Sequence, residues 1–172
     1  QPMCPACQEG HYFFCQNFHK GNLPTAIHIG NCNVVNGGFA PFLAAHESQL
    51  FPVPDEVSDD QAVLSDPFSV SLHAILKAPP PPGGSAVVYG CGTLGLLSVA
   101  ILNALYPDCE VFVVARHPMQ EKLALEMGAT HVMRTRDLVE IIETIAQRFN
   151  LHLERPPGSL PWMMGGVDVI YD

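Results

Sequence analysis

Apolar and polar positions follow two rhythms along this chain, and the change comes near residue 84. Beyond it, unbroken apolar runs such as Ala86-Val87-Val88-Tyr89 and Val111-Phe112-Val113-Val114-Ala115 alternate with longer segments of helical spacing. Short runs without polar interruption predict strands buried on both faces. The pattern predicts strands over 86–89, 110–115, 130–133 and 167–171, and helices over 93–105, 118–127 and 137–149. The second helix stops at Gly128. In the third, Leu138, Ile141, Ile142 and Ile145 share one inward face, while Glu140, Glu143 and Arg148 read as a solvated outer side. Residues 151–162, with Arg155-Pro156-Pro157-Gly158 inside, read as a loop, and Trp162 receives no role. Strands alternating with helices imply an α/β fold, a parallel sheet with helices on both faces.

Before residue 84 the chain is rich in loops and prolines. Residues 27–35 and 39–43 read as strands, with Asn36-Gly37-Gly38 as the turn between them. Ser58 and Gln61 have the spacing of a capping box. Asp66-Pro67 reads as the cap and first turn of a further helix through Phe68, Val70, Leu72, Ile75 and Leu76. The run Pro79-Pro80-Pro81-Pro82-Gly83-Gly84 cannot be helix and marks a boundary. The expected organisation is 1–62, a connecting helix and proline hinge over 63–83, and 84–172.

The net charge of −9 argues against nonspecific binding to nucleic acid or to an anionic membrane, whose phosphates would repel it. No apolar run reaches the length of a spanning helix, and the first residues carry no signal-peptide pattern, so a cytoplasmic protein is expected.

The strongest chemical signal is Gly90-Cys91-Gly92-Thr93-Leu94-Gly95, set between the first predicted strand and the first predicted helix. In that context it reads as a dinucleotide-binding turn. Gly90 allows the tight turn, Gly92 lets the backbone approach a pyrophosphate, and Gly95 lets the helix pack against the strand. Thr93 and Leu94 open the helix, whose free N–H groups and partial positive charge suit phosphates. The plain alternative is a tight turn without a ligand. A full sheet of this kind has six strands, so four predicted strands suggest the middle of a longer protein.

Cofactor choice rests on the end of the second strand, where NAD sites place an acid for the ribose hydroxyl. Here the strand runs Val113-Val114-Ala115-Arg116-His117, with no acid at its tip. Arg116 suits a 2′-phosphate, which favours NADP and leaves NAD second; otherwise Arg116 is a solvated loop residue. Glu110 lies at the wrong end of the strand for this role.

Three of the six cysteines, Cys4, Cys7 and Cys15, lie at short spacing, which reads as metal binding rather than a disulfide framework. Cys91 and Cys109 read as small core residues.

Several segments together resemble the medium-chain, zinc-containing alcohol dehydrogenase family. Cys4-Pro5-Ala6-Cys7 with Cys15 is similar to its structural-zinc lobe. Gly37-Gly38-Phe39-Ala40 and Leu50-Phe51-Pro52-Val53-Pro54 resemble the stretch that follows. Asp66-Pro67-Phe68 through His73-Ala74 is similar to a helix of that family, Glu126-Met127-Gly128-Ala129-Thr130 to a helix–strand step, and Gly165-Gly166-Val167-Asp168-Val169 to a strand of its cofactor domain. The pieces occur in the family's order along nearly the whole chain.

The resemblance implies part of a β-rich, chaperonin-10-like catalytic domain over 1–62, followed by part of a Rossmann domain over 84–172. It implies hydride transfer between an alcohol or carbonyl substrate and NAD(P), and a homo-oligomer. It also implies a structural zinc at Cys4, Cys7 and Cys15. The family's first zinc-lobe cysteine is replaced by Gln1, so a three-cysteine site is weak, recruits His11 or His19, or is empty. Asp66 falls where some members place an acidic ligand to a catalytic zinc; its other reading is a helix cap. No residue matches that zinc's cysteine and histidine ligands, so the catalytic residues are unassigned and this piece by itself is expected to be inactive. His73 reads as a half-buried helix residue. The competing readings are a zinc-free NADPH reductase of the same fold, a nonenzymatic nucleotide- and zinc-binding module, and a methyltransferase, in which the cysteine lobe has no place.

Overall fold

The computed structural model describes residues 3–17, 20, 36–45, 47 and 50–172, in two compact units, Gln1–Pro54 and Asp55–Asp172. In the first unit a short helix α1 (Pro5–Gln8) and a 3-10 turn (Tyr12–Phe14) carry the cysteine cluster. The strand expected over 27–35 lies outside the described residues. Residues 39–43, expected as a strand, form none; they have no strand partner among the described residues, and Phe39 is fully exposed.

The second unit starts with α2 (Asp59–Ala62) and α3 (Ser65–Lys77). Ser58 closes the expected capping box: its hydroxyl accepts from the Gln61 amide, and the Gln61 side chain accepts from the Ser58 amide. Asp66 does not cap α3. Leu64 holds the cap position with helical backbone angles, and the Phe68 amide already bonds to its carbonyl. Asp66 therefore sits inside the first turn, where its charge suits the helix dipole.

The sheet follows the hydrophobic rhythm closely. Its strands are β1 (Ser85–Tyr89), β2 (Glu110–Ala115), β3 (His131–Arg134) and, after a hairpin, β6 (Val169–Tyr171). Between them run α4 (Thr93–Leu105), α5 (Pro118–Glu126) and α6 (Leu138–Arg148). All pairings in this sheet are parallel, in the order β3-β2-β1-β6. Successive side chains of a strand point to opposite faces, which divides the core in two. Val88, Val111 and Val113 pack with Ile75, Val99 and Leu102 of α3 and α4; Val87, Phe112 and Val114 pack with Ile141 and Ile145 of α6.

Two expectations for α6 are corrected. Leu138 is 46% exposed, because the core on that face begins one turn later, at Ile141. The helix's charges are not merely solvated: Arg148 pairs with Glu110 at 2.6 Å, Glu143 with Arg155 at 2.7 Å, and Glu140 accepts from the Thr135 hydroxyl. Residues 151–162 are also more than a loop. They contain β4 (His152–Glu154), which pairs antiparallel with β5 (Trp162–Met164). The short alternating segments Leu153 and Met163 turn inward while Trp162 stays exposed, a pattern too brief to stand out in the sequence.

Candidate dinucleotide turn and cysteine cluster

The chain runs from β1 to β2 to β3 in one direction across the sheet, then crosses back to place β6 on the other side of β1. That reversal puts a crevice at the C-terminal end of β1, where open α/β sheets bind ligands. The glycine turn lies there. Gly90 has φ +102°, a left-handed conformation that favours glycine, and its amide continues the ladder to the Val114 carbonyl at 3.2 Å. At Gly95 a Cβ would stand 2.0 Å from the Gly90 carbonyl oxygen, so helix and turn touch backbone to backbone. Gly92 is different: a Cβ there meets nothing within 4 Å. It begins α4, whose first turn no side chain caps. Open space at Gly92 and a helix start without a side-chain cap fit the kind of helix N-terminus that can receive a phosphate group.

Two hollows flank the turn. A groove of about 630 Å³ includes Ser71, Tyr89, Gly92, Thr93, Leu94 and Tyr171 in its lining. Ser71, buried in α3, donates to the Leu94 carbonyl at 3.0 Å and fixes the start of α4 against α3. Tyr171 donates to the Ala78 carbonyl at 2.6 Å, and burial pushes its hydroxyl up to about 12, so it stays protonated. A cleft of about 180 Å³ opens on the other side and is lined by Tyr89, Gly90, Val114, Arg116, Thr135 and Arg136. The structure thus places Gly90 and Arg116 in one cleft at the C-terminal ends of β1 and β2, with Gly92 and Gly95 in the lining of the groove beside it.

The strand tip carrying Arg116 is held firmly. The Gln120 side-chain oxygen accepts from the Arg116 and His117 amides at 3.1 and 3.2 Å, and the Cys91 thiol donates to the Gln120 carbonyl at 3.5 Å. Cys91 is buried, which raises its thiol pKa; it links the glycine turn to the start of α5. Glu110, at the opposite end of β2, is engaged with Arg148 and His131. Gln120 and Arg136 are the residues that sequence reading missed. An arginine three residues after the third predicted strand ends carries no motif, and the parallel pairing of β2 with β3 brings it to the same cleft as Arg116.

In the other unit the ligand atoms of Cys4, Cys7 and Cys15 lie within 4.8 Å of one another. The Cys7 and Gln16 amides pull the Cys4 thiol down to about 7. The Cys15 side chain and burial push Cys7 up to about 12. Three converging sulfurs fit the donor set of a zinc site, which normally takes a fourth ligand. Among the described residues no other Cys, His or acid joins this cluster, and His11 is outside it. Asp66 is exposed on α3 and belongs to no ligand cluster among the described residues. His73, expected half-buried, is exposed.

A parallel sheet with a glycine turn at its strand-order reversal defines a Rossmann-type α/β protein. No protein-family model matches the chain. It is 32% identical over 144 residues to the sorbitol dehydrogenase of Bacillus subtilis (strain 168), covering 83% of this chain and 38% of that protein. It is 31% identical over 161 residues to the (R,R)-butanediol dehydrogenase of the same organism, covering 92% and 42%. Among solved structures, a zinc-binding dehydrogenase (gutB, described as putative) from Clostridium scindens ATCC 35704 superimposes with a TM-score of 0.64 at 26% identity, over 86% of this chain and 37% of that one. The chain belongs to the medium-chain, zinc-containing alcohol dehydrogenase family. It spans about two fifths of the length of the relatives it matches.

Proposed function

We propose that the whole protein is a nicotinamide-dinucleotide-dependent dehydrogenase acting on the CH–OH group of a small alcohol, diol or polyol. The observation that carries this reading is the position of the glycine turn, at the strand-order reversal and with an uncapped α4 behind it. The names of the relatives, sorbitol and butanediol dehydrogenases, support a substrate with neighbouring hydroxyls.

The bound dinucleotide supplies hydride acceptance and return. The chain's own residues bind and orient it. Gly90, Gly92 and the amides of Thr93, Leu94 and Gly95 receive the pyrophosphate, and rigid packing at Gly95 keeps those amides aimed. Arg116 selects the phosphorylated cofactor, NADP, over NAD. Cys4, Cys7 and Cys15 hold a zinc whose role is structural. Asp66 offers a carboxylate to a catalytic zinc whose other ligands come from outside the described residues, and no step is derived through it. A homo-oligomer in the cytoplasm completes the reading; among the described residues no helix is long and apolar enough to cross a membrane.

Fluorescence titration with NADPH and NADH tests the site. The expected result is tighter binding of NADPH, with the preference lost in Arg116→Ala. Equal or tighter NADH binding would overturn the Arg116 role while keeping the dehydrogenase. Binding of neither cofactor would overturn the dinucleotide reading.

A further inference from the structure

The protein has five arginines, and their partners separate them into two groups. Arg134 pairs with Glu121, Arg148 with Glu110 and Arg155 with Glu143. Arg116 and Arg136 have no ion pair among the described residues, and both line the same cleft of about 180 Å³. They come from different elements, Arg116 from the tip of β2 and Arg136 from the loop between β3 and α6. In a chain of net charge −9, these two guanidinium groups line one small cleft with no acidic partner among the described residues. Like charges brought together repel, and nearby acids would relieve them, yet no carboxylate lines the cleft.

The acids closest in sequence are already engaged. The Asp137 carboxylate accepts from the amides of Val139 and Glu140 at the start of α6. Glu140 accepts from the Thr135 hydroxyl, which in turn accepts from the Asp137 amide at 3.1 Å. These bonds fix the loop on both sides of Arg136. Gln120 fixes the backbone under Arg116. The result is two cations on held backbone, with the first glycine of the turn in the same lining.

We infer that Arg136 is a second cofactor-selecting residue, which with Arg116 forms a two-arginine clamp for a phosphate monoester on the adenosine ribose. This rests on the dinucleotide reading of the glycine turn. A phosphate monoester is dianionic near neutral pH, and guanidinium groups match its oxygens in charge and geometry. A ribose hydroxyl gives two arginines nothing comparable, so the clamp discriminates between cofactors that differ only there.

Calorimetry with adenosine 2′,5′-bisphosphate and with 5′-AMP isolates the clamp from the nicotinamide half. The protein is expected to bind the bisphosphate more tightly. Arg136→Gln should weaken that binding about 10- to 100-fold, as for a lost charge-assisted hydrogen bond, while leaving 5′-AMP unchanged. Arg134→Gln removes the same charge two residues away and should leave both affinities as they were. An unmoved bisphosphate affinity in Arg136→Gln, or an equal loss in Arg134→Gln, would overturn the clamp while the dinucleotide reading stands. Equal affinity of the unaltered protein for the two ligands would do the same. Failure to bind either would overturn both. Thermal melts of each variant separate loss of binding from loss of fold.

Discussion

Gly92 and Gly95 stand three residues apart in one turn, yet an added methyl group affects them differently. At Gly95 it would overlap the Gly90 carbonyl, a backbone atom that cannot swing away. Gly95→Ala is therefore expected to lose about 1–3 kcal/mol of stability, seen in urea titration, together with cofactor binding. At Gly92 the methyl group enters open space, with backbone angles that any residue adopts. Gly92→Ala should change stability by less than about 0.5 kcal/mol and weaken only the cofactor. A stability loss at Gly92 equal to that at Gly95 would mean the turn is merely a tight turn. The motif made all three glycines visible in the sequence. It also read Gly95 as the packing position and Gly92 as the open one, but only the structure shows what a methyl group would meet at each.

Among the elements, β6 is joined to β1 by more than its ladder. The Asp168 carboxylate accepts from both the amide and the hydroxyl of Ser85 at 2.8 Å, and the Ser85 hydroxyl accepts from the Asp168 amide. These bonds hold the Asp168 carboxyl below its usual range. A carboxylate whose pKa is lower in the folded state stabilises fully above its unfolded value of about 3.9, and the benefit disappears as pH falls through the folded value. Asp168→Asn should therefore lower the urea midpoint at pH 7, and the gap to the unaltered protein should narrow below about pH 4. A gap independent of pH would rule out this linkage. The strand itself was legible as Val169-Ile170-Tyr171. Its bond to Ser85, 83 positions earlier, was not, because nothing local records which strands become neighbours.

At the scale of the molecule, the sheet ends on β6, whose far edge pairs with no other described strand. Beside it Ile170 is 55% exposed, and Phe68, Val70 and Leu76 of α3 are exposed as well. Open edges next to apolar surface promote pairing between chains, and a lysine on such a strand opposes it. This chain on its own is expected to self-associate in sedimentation velocity, and Ile170→Lys should shift it towards monomer. Unchanged association in that variant would place the contact elsewhere.

The sequence by itself determined the α/β rhythm, the extents of α4 and β2, the buried face of α6 from Ile141 onward, and the glycine turn. Each is written in the order of neighbouring residues: apolar spacing, a capping residue, a stretch that must do without side chains. Tertiary structure alone decided that β6 crosses to the other side of β1, that Glu110, Glu143, Arg148 and Arg155 form ion pairs, and that Arg116 and Arg136 share a cleft. Those facts depend on which strands lie side by side. Strand order follows from how the whole set of helices and strands covers its apolar faces, and no single stretch of residues carries it.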